Sequence, residues 1–382
     1  MKATALLLTT SSTPTRLRGL RVHNYAADPE GVEPALRQAQ GPSALLGAGR
    51  LVWLEPASEI YYWPAEALAW LAGHVEVGGS LLVTGGIGEG FLFRTVIEEM
   101  LPARAVFQED ARPQHHVRDV KRYADSVWFT SGEIVVEDAA HPLLEGVGLK
   151  TGMKLLGSYV AESKPGARVP VRFATYESVG ATFDLEPLDM PCVATWTWGK
   201  GRVTYLASDV GALPRGARWR RLVENVAAQP PASAKERAQD RFAYLSGTLA
   251  ELRRRAEVLG ALEAKPETAL LDELGRRVGR ADVSTAKGRK AFLDVVPELE
   301  ELALDAGAAL EAAEAGLFRK AFEAYTAFYA ALARAEVEGA APESELAKLR
   351  HEGELAKVHF NARAYLQAAR TYRVLTKAIG SR

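Results

Sequence analysis

Carboxylates and glycines follow three short apolar segments that are typical of buried strands. The segments are Arg50–Leu54, Ser80–Thr84 and Val203–Ala207. Ligands of open parallel sheets bind beyond the carboxyl ends of the strands, where glycines allow a close backbone approach and carboxylates act as acids or bases. These positions therefore predict a site for a small polar ligand. Its candidate residues are Glu55, Gly85, Gly86, Gly88, Glu89 and Asp209.

The glycine cluster also has a purely structural interpretation, because a tight turn between a strand and a helix needs glycine. The spacing within Gly85–Gly90 is not that of a dinucleotide-binding fingerprint, and the sequence contains no Gly-Lys-Ser or Gly-Lys-Thr loop for phosphates. We predict no cofactor.

Three consecutive aromatic residues form a possible platform for a carbohydrate: Tyr61, Tyr62 and Trp63. Aromatic rings in such loops bind sugars and peptides, and they equally pack against neighbouring domains. Both interpretations stay open. His115 and His116 are poor metal ligands, since adjacent side chains point to different sides and the basic residues nearby oppose a cation. We predict no metal site.

Two aromatic-alanine stripes occur in the second half of the chain, each with an aromatic residue, an alanine three positions later and a tyrosine four positions after that. They are Phe318, Ala321 and Tyr325, and Tyr365, Ala368 and Tyr372. On a helix such residues share one face, where alanine lets a neighbouring helix approach and the rings hold it in place. We expect these stripes to shape a groove for a protein partner.

The composition limits the class of partner. The chain has 382 residues and a formal net charge of -1, so a general attraction to nucleic acid or to an anionic membrane is not expected. Its one cysteine, Cys192, excludes an intrachain disulfide and a multi-cysteine zinc site. No apolar run has the length of a membrane span, and the amino-terminal run is shorter than a signal peptide requires. We expect a cytoplasmic protein without membrane insertion.

A change of composition near residue 230 predicts two domains, 1–229 and 233–382. All 7 tryptophans precede it, and Ala, Leu, Glu and Arg dominate the chain after it. The segment Gln229–Ser233 is a stiff Pro-Pro linker that ends in an N-cap serine.

The first domain alternates predicted strands with predicted helices, which indicates an α/β fold with a parallel sheet and, over 105–200, an antiparallel extension. Its strands are expected at 3–10, 50–54, 80–84 and 203–207, and its helices at 64–77, 91–100 and 217–228. The second domain is expected to be a separate all-α domain. Its helices are predicted at 235–262, 267–280, 289–315, 317–337 and 343–379, the last broken near Asn361.

Short phrases within residues 1–229 resemble class I glutamine amidotransferase-like domains, which have a flavodoxin-like sheet. Val77–Gly86 is similar to the strand and turn that carry the nucleophile in those domains, and His141–Gly146 is similar to a His-Pro phrase of noncatalytic relatives. Gly199–Leu206, with Trp219 and Asn225, resembles their closing strand and helix. The relatives include trehalose-utilisation-like domains, the trimerisation domain of some β-galactosidases, and a domain shared by gliding-motility and intraflagellar-transport proteins.

The departures from that family matter for activity. An amidotransferase needs a cysteine thiolate on the turn and a histidine oriented by a carboxylate. Here the turn reads Gly85–Gly88, and the strand end that would supply the histidine reads Ser208–Val210. Cys192 lies in a strand-like segment and is predicted to be a buried small hydrophobe. The resemblance therefore implies a noncatalytic domain without glutaminase activity.

The aromatic-alanine stripes resemble the second helix of a tetratricopeptide repeat. Asp305–Ala315 would be the first helix of one unit and 343–361 that of the next, with the two stripes 47 residues apart. A repeat array would be irregular at this spacing, and a plain helical bundle is the alternative.

Two hypotheses for the function follow. The first is a noncatalytic binding or assembly protein, a scaffold whose helical domain binds a protein partner. The second is an enzyme or binding protein for a carbohydrate or another small polar metabolite, with Glu55, Glu89 or Asp209 as acid or base. Convergence of two of these carboxylates in one pocket would favour the second.

Overall fold

The chain forms two compact units in a computed structural model. The structure describes residues 5–9, 20–24, 51–54, 65–85, 96–105, 107–108, 125–126, 131–156, 161–178, 181–184, 190–207, 217–261, 268–339, 342–361 and 365–380. Among the described residues, the first unit contains those up to Gln108, those from Asp125 to Tyr244, and Ala281–Val295. The second unit contains those of Leu245–Arg280 and Val296–Arg382. Independent folding of 1–229 and 233–382 stays a prediction.

Strands and helices alternate in the first part of the chain. They are β1 (Ala5–Thr9), β2 (Leu20–Asn24), β3 (Leu51–Leu54), α1 (Ala65–Glu76), β4 (Ser80–Thr84) and α2 (Val96–Met100). The side chains of β3 and β4 are buried along their whole length, as expected for strands covered on both faces. The predicted helix at 64–77 is confirmed by α1, which ends at a glycine with positive φ, Gly78.

The middle of the chain consists mainly of strands. They are β5 (Ala103–Ala105), β6 (Phe107–Gln108), β7 (Asp125–Ser126), β8 (Ser131–Val136), β9 (Lys154–Leu156), β10 (Ala161–Ser163), β11 (Arg168–Phe173), β12 (Thr175–Ser178), β13 (Ala181–Asp184), β14 (Pro191–Trp198) and β15 (Gly201–Leu206). A short 3-10 turn, Pro142–Leu144, follows β8, and helix α3 (Ala217–Ala228) follows β15.

Eleven of the described strands form one mixed sheet in the order β13-β12-β8-β11-β14-β15-β4-β3-β1-β2, with β9 also paired to β8. Strands β2, β1, β3, β4 and β15 pair in parallel. From β15 onward, through β14, β11, β8, β12 and β13, the pairs are antiparallel. The chain is therefore mixed α/β, and the predicted antiparallel part lies where the sequence indicated it.

Five helices follow the sheet. They are α4 (Ala234–Ala261), α5 (Ala269–Gly279), α6 (Ala286–Glu338), α7 (Glu343–Asn361) and α8 (Tyr365–Gly380). The break expected near Asn361 is confirmed by the end of α7. No described helix combines the length and the apolar character needed to cross a membrane.

The predicted separation of helices 289–315 and 317–337 is wrong, because α6 runs through both as one helix of 53 residues. Gly316, interpreted as a break, lies inside it and has no atom near enough to touch an added Cβ. Buried residues continue on one face on both sides of it, at Leu310 and Leu317. Burial of this stripe outweighs the cost of about 1 kcal/mol for a glycine within a helix. The first predicted tetratricopeptide helix pair is wrong for the same reason.

The predicted linker is fastened to the first unit. The Ala232 amide donates to the Lys200 carbonyl at 2.8 Å, and Arg202 donates to the Pro230 carbonyl at 2.9 Å. The predicted N-cap is confirmed as a capping box: the Ser233 amide donates to the Glu236 carboxylate at 2.9 Å, and Ser233 Oγ accepts from the Glu236 amide at 3.2 Å. Hydrogen bonds thus hold this segment between β15 and α4.

A buried carboxylate joins the first turns of α4 to the sheet. Asp240 is 4% exposed, and its two oxygens accept from the Thr197 amide at 3.0 Å and from Arg168 at 2.6 Å. The next residue, Arg241, donates to the Thr197 carbonyl. Its guanidinium lies 4.6 Å from the ring centre of Trp196. Both charges are paired or face an aromatic ring, as burial requires.

The β10–β11 turn fits closely against the same helix. Gly166 has φ of +82°, and a Cβ added there would lie 2.7 Å from the Tyr244 amide nitrogen and 2.9 Å from the Asp240 carbonyl oxygen. Only glycine satisfies both constraints at this position. The start of α4 is therefore part of the core of the first unit.

Acid titration of Glu236 is expected to weaken the first unit. Burial alone would raise the pKa of this carboxyl, but hydrogen bonds from Arg202 and Ser233 outweigh burial and lower the pKa to about 2 from 4.5. A lowered pKa stabilises the fold above the unfolded value, and this contribution is lost as pH falls from 4.5 towards 2. Glu236→Gln should lower the urea midpoint at neutral pH and flatten its decline over that window. Exposed Glu257→Gln in α4 is the control, and an unchanged acid profile in Glu236→Gln would contradict the expectation.

Removal of the Asp240 carboxylate should destabilise the first unit strongly. Asp240→Ala leaves the Thr197 amide without its acceptor and Arg168 without its counter-ion. Because Arg168 is 39% exposed and can turn to water, we expect a loss of about 3 kcal/mol in the free energy of unfolding, the lower end for breaking a buried pair. Chemical denaturation measures it, with Glu257→Ala as a control on an exposed part of α4. A loss no larger than that of the control would refute the buried-pair interpretation.

Candidate functional site

The carboxyl ends of β3, β4 and β15 lie side by side in the sheet. At this edge Trp53 Nε1 donates to Thr84 Oγ1 at 2.8 Å, and Thr84 Oγ1 donates to the Leu54 carbonyl at 3.5 Å. Gly85 follows, buried and with φ of +80°, a conformation that favours glycine. In the described part of this edge, the Thr84 hydroxyl and the Trp53 indole are therefore already bonded to each other.

Most of the residues predicted for this edge lie outside the described part of the chain. They are Glu55, Gly86, Gly88, Glu89 and Asp209, with the aromatic residues Tyr61, Tyr62 and Trp63. His115 and His116 also lie outside it. A carbohydrate or small-metabolite site at the strand ends therefore stays a prediction.

The His-Pro phrase and the closing helix meet in the structure. Asn225 of α3 donates to the Leu143 carbonyl at 2.9 Å and to the Glu145 carbonyl at 2.8 Å. His141 Nδ1 accepts from the Leu143 amide at 3.3 Å. Burial lowers the pKa of His141, although nearby Asp138 acts in the opposite direction. A neutral imidazole is the form that can accept this bond, so these side chains fix the turn against α3.

Cys192 is fully buried within β14, which confirms the prediction of a buried small hydrophobe. Burial raises the pKa of its thiol, so the thiolate that a nucleophile or a metal ligand needs is disfavoured. Within the described ranges, no three His, Cys, Asp or Glu side chains are grouped so that they could hold a metal ion.

The two aromatic-alanine stripes meet in the second unit. Tyr325 of α6 and Tyr372 of α8 pack edge to face with ring centres 5.4 Å apart, and Phe328 lies 5.7 Å from Tyr372. Ala321 and Ala368 are both fully buried. Their small side chains lie where helices pack closely, so both are packing residues, and their role in shaping a partner groove stays a prediction.

The first residues of the two stripes, Phe318 and Tyr365, are not the two rings of the edge-to-face contact. Phe318 is half-buried, and its ring stacks on that of Phe322 with 6.1 Å between the centres. Tyr365 is the first residue of α8, and its side chain is not among those that the structure describes. The inner residues of the two stripes therefore make the contact between the helices.

The rings of four residues form an aromatic cluster: Tyr325, Phe328, Tyr329 and Tyr372. Two of its tyrosine hydroxyls donate hydrogen bonds to α7. Tyr329 donates to Glu354 Oε1 at 2.9 Å, and Tyr372 donates to the Gly353 carbonyl at 3.2 Å. Burial raises the pKa of both tyrosines, and the charge of Glu354 raises it further. Both hydroxyls therefore stay protonated at neutral pH and act as donors.

Gly353 is the residue of this cluster that the sequence interpretation missed. It lies in the middle of α7, where glycine is unfavourable. An added Cβ would lie 2.5 Å from Cε1 and 3.0 Å from Cζ of Phe328. Its only signal in the sequence is a glycine inside an otherwise helical pattern, which indicates a close approach of another element.

A groove of about 420 Å³ lies between α7 and α8, next to the cluster. Apolar side chains dominate it, and a charged side chain from each helix lines it as well: the residues are Leu355, Ala356, Val374 and Leu375, with Glu352 and Arg370. Leu355 and Val374 are 54% and 65% exposed. Large apolar side chains exposed together on one surface are typical of a contact site for another molecule.

Comparison with known proteins finds neither a matching family model nor a matching curated protein. Similar solved structures include a cytoplasmic protein from Salmonella typhimurium LT2, 18% identical, with a TM-score of 0.36, covering 59% of this chain and 95% of its own. A second cytoplasmic protein from Salmonella typhimurium is 15% identical, with a TM-score of 0.38 and coverages of 60% and 99%. The cold-adapted β-galactosidase from Rahnella sp. R3 is 17% identical, with a TM-score of 0.31 and coverages of 60% and 32%. These likenesses show no family and assign no activity.

Gly353→Ala and Gly316→Ala should change stability in opposite directions. Alanine at 353 would press into the Phe328 ring, and overpacking costs about 1–3 kcal/mol, more than the gain in helix propensity. Alanine at 316 meets no atom within 4 Å, so it should stabilise α6 by up to about 1 kcal/mol. Thermal unfolding of the two variants, followed by circular dichroism, tests this. A rise in melting temperature for both would show that the Phe328 ring can move away at little cost.

Proposed function

We propose that the protein is a noncatalytic binding or assembly protein of the cytoplasm, whose helical unit binds a segment of a protein partner. The observation that carries the proposal is the groove between α7 and α8, where Leu355 and Val374 are exposed although both are apolar. Covering these side chains removes apolar surface from water, at about 25 cal/mol for each Å². A partner that fills the groove gains this free energy on binding.

The chemistry of the groove favours an amphipathic helix as the bound segment. Apolar residues at helical spacing would fill the space between Leu355 and Val374, as in other helix-in-groove complexes. Glu352 on α7 and Arg370 on α8 line opposite sides. A partner helix with a basic residue towards Glu352 and an acidic residue towards Arg370 would complement both, which sets orientation more than affinity.

We also propose that the first unit is a degenerate, flavodoxin-like amidotransferase domain and that α7 and α8 are a tetratricopeptide-like pair. The parallel order of β15, β4, β3 and β1 supports the first assignment. So does the contact of Asn225 with the His-Pro phrase. Cys192, buried in β14, supports the lack of glutaminase activity. The hydrogen bond from Tyr372 of α8 to the Gly353 carbonyl of α7 supports the second assignment.

Glutamate in the groove should abolish partner binding without unfolding the protein. The double variant Leu355→Glu, Val374→Glu places charge on two exposed positions, where substitutions change stability by about 0.5 kcal/mol or less. Its control is Val337→Glu, because Val337 is 88% exposed on α6 and does not line the groove. Affinity purification from the native host with each protein, followed by mass spectrometry and by reconstitution with the purified partner, gives the readout.

We expect a partner that copurifies with the parent and with Val337→Glu and is lost with the double variant. The same partner should bind the parent directly in reconstitution. If the double variant, melting like the parent, retains every copurifying protein, the groove is not the binding site and the proposal falls.

A further inference from the structure

Helix α6 has two apolar faces on opposite sides. One is buried along its length and consists of Leu299, Ala303, Ala306, Leu310, Leu317, Ala321, Ala324 and Phe328. The other is exposed and contains Leu304, Ala308, Ala315 and Phe322. Because each residue advances about 100° around an α-helix, Leu304 and Phe322 lie on the same side, with the two alanines within about 40° of that line. We call these four residues the outer stripe.

Packing within the second unit does not account for the large apolar residues of the outer stripe. Leu304 is 63% exposed and Phe322 is 51% exposed, so both large side chains face solvent. The spacing of four and then seven and seven residues follows the heptad of helices that pair along a seam. Ala308 and Ala315 in the middle let a second helix approach closely, and the large residues stand at the two ends. Glu311 lies between the two alanines, and its carboxylate pairs with Arg255 of its own chain at 4.0 Å.

Two of the charges beside the stripe, one acidic and one basic, are complementary under a two-fold rotation. Asp305 and Arg319 flank it on the same side, both exposed. Among the described residues neither forms an ion pair in the monomer. Asp305 lies near the Leu304 end and Arg319 near the Phe322 end. Two copies of α6 running in opposite directions bring the acid of each beside the base of the other.

We propose that the outer stripe is an interface with a second copy of this chain, which packs antiparallel along α6. The two-fold axis passes near residue 313, midway between Leu304 and Phe322 and close to the middle of α6. Leu304 then faces Phe322 of the second copy, Ala308 faces its Phe318, and Asp305 pairs with its Arg319. An isologous dimer uses the same surface on both copies, which is the symmetry that this pattern fits.

A parallel pair would not have this complementarity. The Arg319 side chains of both copies would then lie at one end and the Asp305 side chains at the other, about 21 Å away at 1.5 Å for each residue. The outer stripe is only about five turns long, shorter than a standard interface of about 800 Å² on each partner requires for tight association. The antiparallel dimer is therefore weak and dissociates on dilution.

Sedimentation velocity over a range of protein concentrations tests the dimer. The parent should show a reversible monomer–dimer equilibrium. Asp305→Arg and Arg319→Asp, each alone, should be monomeric at concentrations where the parent is dimeric, because like charges then meet at both ends of the interface. An equimolar mixture of the two variants should dimerise again, since each variant supplies the charge that the other lacks.

Two controls separate this result from other causes. Lys320→Asp makes the same charge change as Arg319→Asp, one position away and about 100° around the helix, and should dimerise like the parent. The groove variant Leu355→Glu, Val374→Glu should also dimerise normally, so a failure of the proposed partner groove leaves this interface standing. Circular dichroism checks that every variant keeps its helix content.

The proposal is overturned if the parent is monomeric throughout the concentration range. It is also overturned if either single-charge variant dimerises like the parent, or if the mixture stays monomeric while the parent dimerises. A single-charge variant that dimerises like the parent would show a dimer that forms through a different surface or in a parallel arrangement.

Discussion

The first unit depends on a buried carboxylate in the first turns of α4, that of Asp240. Inside the protein, the Asp240 carboxylate is bound by the Thr197 amide and by Arg168 at the same time, so both of its oxygens have a partner. Thr197 belongs to β14 and Arg168 to β11, so one carboxylate joins α4 to two neighbouring strands. Arg241 adds a second bond to Thr197 and lies over Trp196. A shift of α4 along the sheet would break these contacts together.

Local signals in the sequence predicted most elements of the fold, whereas contacts between distant residues were not predictable. Apolar periodicity and glycine or proline at the ends located the helices, and the Ser233–Glu236 capping box depends on residues three positions apart. The Arg168–Asp240 pair joins residues 72 positions apart. Gly316 and Gly353 look alike in sequence, but only Gly353 has the ring of Phe328 against it. The sequence alone does not distinguish these two glycines, because the difference lies in a contact with a distant residue.

The candidate site shows the same division. Helical spacing predicted that the two aromatic-alanine stripes would pack, and Tyr325 and Tyr372 do so. The groove itself lies beside them, at Leu355 and Val374. Apolar residues at helical spacing look the same in sequence whether a neighbouring helix covers them or solvent does. The described side-chain hydrogen bonds of Asp240 and Asn225 join elements of the first unit to each other.

The first unit is built from segments that are far apart in the sequence, and this affects how the unit forms during synthesis on the ribosome. Its last strand, β15, ends at Leu206, yet the unit also includes the chain to Tyr244 and Ala281–Val295. Phe292 in that later segment packs against Phe242 with ring centres 5.9 Å apart. In the growing chain the described strands are therefore all synthesised before the last segment of the first unit. That segment follows only after Leu245–Arg280 of the helical unit has been translated. During that interval Phe242 lacks the Phe292 ring that packs against it, and apolar surface exposed in this way makes a growing chain vulnerable to aggregation.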